Sequence, residues 1–557
     1  MEVSRATALA NPAPQVRRDT ALLLGSCLLI DLTDALLRDA AGLASASVRT
    51  LDALHLASAL RIEADEFVAY GPLRPVPGEG VDPSPMLVER GSASPLTSDP
   101  NPQRAIPMRT DCAVVGAGVA GLVAARELRR AGYSTTVVEA RNRIGGRVWT
   151  HEALGAGADR GATFIHWTQP HVWAEFTRYG FGLDQRPPAE RSVWSIGGER
   201  HEGGAAAYSD LIADALDALA RESIPAFPRP HDFSDEPAFE AADALSLADR
   251  IADLEISAAV KDALHGFWSV HCNGWCEAGA YSHALHWLAL CGGSWRLFGE
   301  AASRYKVEGG LGQLPERLMA DAQADVRLEF DVASIEQDED QVLVRSSDGE
   351  ELRAGAAIVA VPLNALPRID FTPDFEAPTR GLIDEGAPAG GFKLFLKLRE
   401  RIDSYVCMGS AEQPIMFARL EADLADGSVI SCYGADRAVL ADGPDAVISV
   451  VEEWLPGVHV KDSWWHDWCG DELSGEAWRI PRPGQTQRSA RAAEQPNGRV
   501  VLAGADVARG WTGYLDGAVE SGHRAARYAT QIIAGRSRSN TAPAPAATKD
   551  MPLIGPR

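Results

Sequence analysis

The sequence lacks an apolar run that approaches a membrane span, which takes about 20 consecutive apolar residues. Its eight cysteines are scattered without a C-x-x-C pair, so we expect reduced thiols and a cytoplasmic location. Basic residues are in the minority: 53 Lys and Arg against 77 Asp and Glu give a net charge of −24. An acidic surface repels nucleic-acid phosphates and anionic membranes, so neither is an expected partner.

Glycine is present where a nucleotide-binding loop needs it. Gly116, Gly118 and Gly121 form a G-x-G-x-x-G pattern. The apolar run Cys112–Val115 before it predicts a buried parallel strand, and Leu122–Arg130 after it predicts a helix. In this fingerprint the first glycine makes the tight turn and the second lets the backbone approach a diphosphate. The third glycine lets helix and strand pack closely.

An acid at the end of the next strand completes the fingerprint. Thr135–Val138 predicts a second strand and is followed by Glu139, 23 residues after Gly116. This carboxylate is placed to accept hydrogen bonds from the adenosine ribose, while the helix N-terminus offers free N–H groups to the phosphates. A glycine turn in some other α/β unit is the alternative interpretation.

The residues after Glu139 indicate which nucleotide is bound. Arg141 is followed by Arg143-Ile-Gly-Gly-Arg147, so the segment has the form E-A-R-x-R-x-G-G-R. This pattern resembles the flavin-dependent amine oxidase family, in which the Gly-Gly pair and its arginine contact the FAD diphosphate. In physical terms, Gly-Gly permits close backbone approach, and Arg147 offers a forked donor to phosphate.

The resemblance extends through most of the remaining chain. The matching segments are, in order, Gly161–His166 beside the isoalloxazine ring, Val307–Gly310, the strand around Val332 at the adenine, Val361–Leu366, Trp468–Trp478 and Ala503–Ala518. The resemblance implies FAD and assigns to its site Gly116, Gly118, Ala120, Gly121, Glu139, Ala140, Arg141, Gly146, Arg147, Gly161, Ala162, Thr163, Val332, Trp468, Gly504, Asp506, Tyr514 and Leu515.

The resemblance also implies the catalytic residues. Trp478 and Tyr514 match two aromatic walls that orient the amine nitrogen between them, where π faces favour developing positive charge. Lys393 lies in an alternating apolar strand pattern, which is a costly place for a charge unless it is paired. It matches the lysine that holds a water at flavin N5. The helix that opens near Asp516 is expected to direct N–H groups toward the flavin O2 side.

Three departures from the family pattern affect these expectations. Ala477 stands where monoamine oxidases carry the cysteine that binds flavin covalently, so FAD is expected to be noncovalent. Ala505 stands where polyamine oxidases have Glu, with Asp506 one step later, as in monoamine oxidases. The stretch Phe164–Pro170 lacks the arginine with which amino-acid oxidases hold a carboxylate. This argues against an α-amino acid substrate, although an arginine elsewhere could substitute.

The fold class that follows is α/β: a Rossmann-like FAD-binding domain, split in sequence, with an inserted α+β substrate-binding domain. We assign residues 108–165, 305–335 and 490–535 to the first domain and 166–304 and 336–489 to the second. Residues 165–300 are expected to be mostly helical, and His265–Trp295 is rich in aromatic residues that suit an apolar pocket. His271, His283 and His286 cluster there, but no further ligand set is evident, so no metal is expected.

The first 107 residues do not resemble the oxidase. Val48–Leu60 and Phe67–Tyr70 resemble the C-terminal third of a PIN-domain toxin nuclease, which predicts a degenerate fragment over residues 1–70. Only Asp52 matches a metal-binding carboxylate, and one carboxylate cannot hold the ion, so no nuclease activity is expected. A signal peptide ending near Cys27 is the weaker alternative, because its apolar run is too short. Residues 71–107 have the composition of a linker and 536–557 that of a disordered tail.

These patterns predict an oxidase that converts a mostly apolar primary or secondary amine to an imine, which water hydrolyses to an aldehyde or ketone. Dioxygen is expected to reoxidise the flavin and yield hydrogen peroxide. Two alternatives share the fold: an L-amino-acid oxidase, and an alkaloid amine dehydrogenase that passes electrons to a carrier protein. A third belongs to another class, a fusion whose inactive nuclease-derived fragment mediates an interaction. The sequence does not name the amine, and it leaves a homodimer open.

Overall fold

In the computed structural model, residues 108–185, 188–411 and 413–535 are described. The predicted nuclease-like fragment (1–70), linker (71–107) and tail (536–557) lie outside these residues, so those predictions stay untested. The first part of the described chain forms β1 (Met108–Val115), α1 (Val119–Arg130), β2 (Thr135–Val138), β3 (Thr150–Ala153), β4 (Ala156–Asp159), β5 (Phe164–Ile165), α2 (Pro170–Tyr179), β6 (Leu183–Gln185), β7 (Arg191–Ile196), β8 (Glu199–Gly204), α3 (Ala207–Ala226), α4 (Pro237–Asp243), α5 (Leu247–Ala252), α6 (Ala258–His271), α7 (Tyr281–Leu290) and α8 (Trp295–Ala301). The second part forms β9 (Tyr305–Val307), α9 (Gln313–Ala322), β10 (Asp325–Arg327), β11 (Val332–Gln337), β12 (Val342–Ser346), β13 (Glu351–Val359), β14 (Asp370–Thr372), α10 (Ala377–Glu385), β15 (Phe392–Leu398), β16 (Tyr405–Met408), β17 (Phe417–Leu424), β18 (Gly427–Gly434), α11 (Asp445–Trp454), β19 (Val460–Trp465), α12 (Gln485–Ala493), β20 (Val500–Leu502) and α13 (Leu515–Ile533).

An eight-stranded sheet carries the predicted fingerprint. Its strands lie in the order β10-β2-β1-β13-β12-β11-β14, and β20 pairs with β13. β1 runs parallel to β2 and β13, and β13 runs parallel to β20, whereas β12 is antiparallel to both of its neighbours. Helices α1 and α13 share an apolar core with one face of this sheet, and a second core covers the other face. β2 is therefore buried along its whole length, as expected for a parallel strand with both faces covered.

The predicted strand, helix and second strand around the glycine loop are confirmed as β1, α1 and β2. Gly116 has a φ of +102°, which favours glycine, and a Cβ there would lie 2.6 Å from the Ala360 carbonyl oxygen. A Cβ at Gly121 would lie 2.0 Å from the Gly116 carbonyl oxygen. Because residue 121 has no side chain, α1 can begin directly against the loop.

The eight-stranded sheet continues past the domain boundary that was predicted after residue 335. Strands β12, β13 and β14 belong to it, although the prediction placed residues 336–489 in the other domain. β13 pairs in parallel with β1 from Met108↔Leu352 to Val115↔Val359. Such long-range pairing has no local signal, because strands of both sheets have similar length and composition. The other domain limits remain predictions.

A seven-stranded sheet and a layer of helices form much of the remaining described chain. The sheet has the order β19-β15-β18-β17-β16-β7-β8, and its neighbours are antiparallel except for β16 and β7. The helices predicted within residues 165–300 are confirmed as α2 through α8. Together with the eight-stranded and seven-stranded sheets, they confirm the α/β fold class. Between residues 108 and 535, none of the described helices is both long and apolar enough to cross a membrane.

Candidate active site

A cavity of about 510 Å³ joins the glycine loop to the inner face of the seven-stranded sheet. Gly121 and Asp506 do not line it: Gly121 packs behind the loop, and Asp506 lies behind Arg147. Lys393 and Trp478 are in its wall. The other residues that the sequence assigned to the cofactor all line it: Gly116, Gly118, Ala120, Glu139, Ala140, Arg141, Gly146, Arg147, Gly161, Ala162, Thr163, Val332, Trp468, Gly504, Tyr514 and Leu515.

The glycine-loop end of the cavity fits the diphosphate of a dinucleotide. α1 has Gly118 as its N-cap, and no side chain caps the free N–H groups of its first turn. A Cβ built at Gly118 would meet no atom within 4 Å, so this backbone faces open space. Such a helix end favours an anionic phosphate.

Glu139 fastens the loop as well as lining the cavity. Its Oε2 accepts a hydrogen bond from Ala117 N at 2.8 Å, and its Oε1 accepts one from Arg141 N at 2.9 Å. Each carboxylate oxygen keeps a further lone pair, so both oxygens remain able to meet a ribose. The sequence predicted the ribose contact and missed this second, structural use of the carboxylate.

Arg147 is held by two buried carboxylates. Its Nη1 donates to Glu476 Oε1 at 3.0 Å, and its Nη2 donates to both carboxylate oxygens of Asp506 at 3.1 Å. Glu476 is fully buried, and Asp506 is 3% exposed. The resemblance assigned the Arg147 fork to the FAD diphosphate. In this structure the outer nitrogens of the fork bind the two acids, so Arg147 also supports the cavity wall.

The pKa values of the buried acids Glu476 and Asp506 are shifted in opposite directions. Burial, and then the neighbouring Asp506, raise the pKa of Glu476 well above its ordinary value of 4.5. Burial acts in the same direction on Asp506, but Arg147 and the hydrogen bond with Glu476 outweigh it and lower the pKa of Asp506. Glu476 Oε2 is buried and accepts no hydrogen bond from the described residues. Sequence analysis missed Glu476, whose signal was an acid beside the matched Ala477 and Trp478.

β15 places Lys393 beside the segment that was predicted to face the flavin ring. Its Nζ donates to Thr163 Oγ1 at 2.7 Å and to the Asp159 carbonyl oxygen at 2.5 Å. The Gly161 carbonyl oxygen is 3.5 Å away. These oxygens make a buried ammonium tolerable. The alternating pattern predicted one buried face, but all of β15 is buried, because α11 packs on the face opposite Lys393.

Trp478 and Tyr514 line the same cavity and are held by different elements. Trp478 Nε1 donates to the His271 carbonyl oxygen at 2.9 Å, at the end of α6. Tyr514 is the N-cap residue of α13, and its ring meets Trp287 edge-on with 5.5 Å between the ring centroids. Burial raises the pKa of Tyr514, so its phenol is neutral at physiological pH. The structure thus brings together the two aromatic residues that the sequence singled out.

The aromatic cluster of residues 265–295 divides between the cavity wall and the core. Phe267 and Trp295 line the cavity. Trp268, Tyr281 and Trp287 are at most 2% exposed and belong to the helical core. In the part of the chain that the structure describes, no three His, Cys, Asp or Glu side chains are grouped so as to hold a metal ion.

Strands β16, β17 and β18 contribute wall residues that sequence analysis did not find. In the register of this sheet, Lys393 pairs with Tyr433, and Tyr433 pairs with Phe417, which places the three in one row. Arg419 lies further along β17. Along each of these strands the side chains alternate between the two faces of the sheet, as in any strand. Only the pairing of strands that are distant in sequence shows which of these residues lie together in the cavity wall. The residues found in this way are Val406, Met408, Phe417, Arg419 and Tyr433.

Comparisons with known proteins bear on this site. The profile of a family described as flavin containing amine oxidoreductase matches residues 119–530. Pseudooxynicotine dehydrogenase from Pseudomonas sp is 30% identical over 435 residues, which are 77% of this chain and 87% of that protein. (S)-6-hydroxynicotine oxidase from Paenarthrobacter nicotinovorans is 29% identical over 440 residues, 74% of this chain and 97% of that protein. The solved structure of cyclohexylamine oxidase from Brevibacterium oxydans IH-35A has a TM-score of 0.68 at 22% identity, covering 76% of this chain and 99% of that one.

Proposed function

The chain belongs to the flavin-containing amine oxidoreductase family, and from this premise we propose that its substrate is a mostly apolar primary or secondary amine and its electron acceptor dioxygen. It is an FAD-dependent oxidoreductase that acts on amines. When bound, FAD supplies the two-electron acceptor for the carbon–nitrogen bond. In overall balance, the amine and O2 give an imine and H2O2, and water converts the imine to a carbonyl compound and the released amine or ammonia.

We propose that the backbone around Gly118 and the first turn of α1 hold the FAD diphosphate, and that Glu139 meets the ribose. Support comes from the open space above Gly118 and from the uncapped N–H groups there. Ala477 lines the cavity where a thiol would be needed for a covalent link, so we propose noncovalent FAD. Arg147, held by Glu476 and Asp506, supports the wall of the cavity.

We propose that Trp478 and Tyr514 orient the amine nitrogen and that Lys393 positions a water at the reacting face. Both aromatic residues line the cavity, and their π faces favour an amine that gains positive charge as the carbon–hydrogen bond breaks. The Lys393 ammonium lies at Thr163 and Gly161, the segment expected beside the flavin ring. The neutral amine is the reactive form, since its lone pair must be free to form the C=N bond.

One observation carries the proposal: the same cavity is lined by the glycine loop around Gly118, by Lys393 and by the Trp478–Tyr514 pair. The test is anaerobic mixing of the purified flavoprotein with a panel of amines, with flavin absorbance followed before and after a pulse of oxygen. Bleaching followed by one H2O2 per imine is the expected result. If oxygen reoxidises the reduced flavin only slowly and an electron-carrier protein reoxidises it fast, the enzyme is a dehydrogenase rather than an oxidase. An unbleached flavin with every amine would overturn the proposal.

A second candidate function, oxidation of L-amino acids, is favoured by Arg419. This residue lines the cavity from β17, paired with Ser431 of β18 and Val406 of β16. A guanidinium is suited to bind a carboxylate through two parallel hydrogen bonds. The sequence argued against amino acids because Phe164–Pro170 lacks an arginine, and Arg419 is an arginine elsewhere that can substitute. Turnover of amino acids that Arg419→Met abolishes, with amine turnover intact, would favour this candidate.

A further inference from the structure

His271 differs from His283 and His286, the two histidines of α7 that the sequence grouped with it. His286 Nε2 donates to the Pro230 carbonyl oxygen at 2.6 Å, and His283 Nε2 is buried without a partner. The ring nitrogens of His271 form no hydrogen bond with the described residues, and the residue is partly exposed and lines the cavity. His271 therefore presents unused hydrogen-bonding atoms to the interior of the cavity.

The surroundings of the His271 ring are aromatic and uncharged. The ring centroids of Phe298, Phe267 and Trp268 lie 4.8, 5.2 and 6.0 Å from that of His271. Burial lowers the pKa of His271 to about 4, and no charged neighbour contributes to this shift. At neutral pH the imidazole is uncharged, so one ring nitrogen donates a hydrogen bond and the other accepts one. Such a ring binds an uncharged polar atom better than a carboxylate.

The backbone of His271 connects this ring to the proposed amine position. Its carbonyl oxygen accepts the hydrogen bond from Trp478 Nε1, so residue 271 and the aromatic wall are held together. Phe267, which touches the His271 ring, also lines the cavity. A substrate whose nitrogen lies against Trp478 therefore has the imidazole within reach of the rest of its structure.

We infer that His271 is a specificity-determining residue that hydrogen-bonds an uncharged heteroatom of the substrate, such as a ring nitrogen, a carbonyl or a hydroxyl, at the end remote from the amine. This inference rests on the proposed amine oxidation. It narrows the substrate class from apolar amines in general to amines that carry a second polar atom. In an aromatic wall, a single polar group of this kind discriminates strongly, because its own hydrogen bond is lost when the substrate offers no partner.

The experiment compares three N-methylalkylamines that differ only in ending with a phenyl, a pyridyl or a hydroxyphenyl ring. Their kcat/KM values are measured with the wild-type holoenzyme and with His271→Phe, His271→Asn and His265→Phe. Phenylalanine keeps the aromatic packing and the backbone carbonyl that binds Trp478, but it removes both ring nitrogens. Asparagine retains a donor and an acceptor. His265 is the control, because it lies on α6, pairs with Glu277 at 3.1 Å and does not line the cavity.

We expect the wild type to prefer at least one heteroatom-bearing amine over the phenyl amine. His271→Phe should reduce that preference by about tenfold to a hundredfold, the effect of one buried hydrogen bond. The kcat/KM for the phenyl amine should fall much less than that for the preferred heteroatom-bearing amine. His271→Asn should restore part of the preference, and His265→Phe should leave it intact. Which heteroatom-bearing amine the His271→Phe variant no longer prefers shows whether the imidazole donates or accepts the hydrogen bond.

Two results count against the inference and are distinguishable. A wild type that bleaches with all three amines at equal kcat/KM, or a His271→Phe variant that keeps the wild-type preference, overturns the role of His271 and leaves amine oxidation standing. A wild-type flavin that no amine of the wider panel bleaches overturns the proposed function, and this inference with it. Flavin absorbance of each variant shows that the cofactor is still bound.

Discussion

At the scale of single residues, the wall of the cavity depends on how charge is handled where water is absent. Arg147 offers one positive charge to Glu476 and Asp506. The buried Arg479 guanidinium also acts on both carboxylates, but burial still disfavours the ionised form of each acid. Burial, followed by the neighbouring charge of Asp506, outweighs Arg147 and raises the pKa of Glu476.

Glutamine at residue 476 mimics the protonated acid, whereas alanine removes it. We expect Glu476→Gln to bind FAD almost as tightly as the wild type. Glu476→Ala should bind FAD about tenfold to a hundredfold more weakly, because Arg147 loses a charge-assisted partner. The measurement is titration of apoprotein with FAD by the quenching of flavin fluorescence. If both variants lose FAD affinity equally and keep normal melting temperatures, residue 476 must be ionised to support FAD binding.

The same pair predicts a dependence of stability on pH. The raised pKa of Glu476 means that the folded protein keeps a proton that the unfolded chain releases above the ordinary value of 4.5. Stability therefore falls as pH rises from 4.5 to the raised pKa. Glu476→Gln has no such proton, so its melting temperature should fall less over this range. If melting temperature depends on pH in the same way in the wild type and in Glu476→Gln, the group responsible for the pH dependence is not Glu476.

Lys393, Trp478 and Tyr514 should differ in the step that they affect. Trp478→Ala and Tyr514→Ala should slow flavin reduction about a hundredfold, the cost of misplacing reactants by roughly one ångström. Lys393→Met should slow a flavin step while substrate affinity stays largely intact. Anaerobic stopped-flow reduction followed by an oxygen pulse separates the two half-reactions. Unchanged reduction in both aromatic variants would place the amine elsewhere, and wild-type rates in both half-reactions for Lys393→Met would end its assignment.

At the scale of elements, a buried ion pair joins three helices around the glycine loop. Arg126 of α1 donates to both oxygens of Glu175 on α2, at 2.5 and 2.7 Å, and neither residue is more than 1% exposed. His523 of α13 lies 3.7 Å from Glu175. Since α1 supplies the N-terminus that faces the cavity, this pair helps to set where a phosphate would bind.

Removing one member of this pair should cost far more than removing both. Arg126→Met removes the two short hydrogen bonds to the buried Glu175 carboxylate and leaves only the longer contacts of Arg178 at 3.5 Å and His523 at 3.7 Å. This should lower the free energy of unfolding by about 3 kcal/mol. The double variant Arg126→Met, Glu175→Met should recover much of that loss, because two apolar side chains pack where the ions were. Denaturant unfolding of the four proteins tests this. If the loss of unfolding free energy in the double variant equals the sum of the losses in the two single variants, the two ions act independently.

Acid should weaken the same contact. Burial opposes ionisation of Glu175, but hydrogen bonds from His523 and Arg126 outweigh it and lower its pKa from 4.5 to about 2. The stabilisation is complete above the ordinary pKa and is lost as pH falls through the window from 4.5 to about 2. Glu175→Gln should therefore flatten the loss of stability across this window. A variant that loses stability with acid as steeply as the wild type would exclude Glu175 as its source.

At the scale of the whole molecule, the sheets, cores and cavity are built from residues 108–535. We expect a chain that begins at Met108 to fold, bind FAD and turn over amines at the rate of the full chain. Flavin absorbance, the melting temperature and kcat compare the two proteins. Insolubility or loss of flavin in the shorter chain would show that the first 107 residues pack on the oxidase.

The sequence by itself determined the nucleotide-binding end of this protein. The strand, the glycine turn, the helix and Glu139 follow one another within a short stretch, so their contacts are local and their pattern is visible in order. Trp478 and Tyr514 were found only through resemblance, whereas Lys393 was also indicated by the apolar strand pattern around its charge. The structure then placed all three in one cavity.

Only the tertiary structure decided the substrate end and its charges. Arg419, Tyr433 and Phe417 point into the cavity because of the register of β17 and β18, and register is set by pairing rather than by composition. β13 likewise joins the eight-stranded sheet through its pairing with β1, which is distant in sequence. The raised pKa of Glu476 depends on burial and on Asp506, which is distant in sequence, and His271 matters because the fold places it in the cavity wall. Burial and long-range pairing exist only once the chain has folded, which is why no local pattern foretold them.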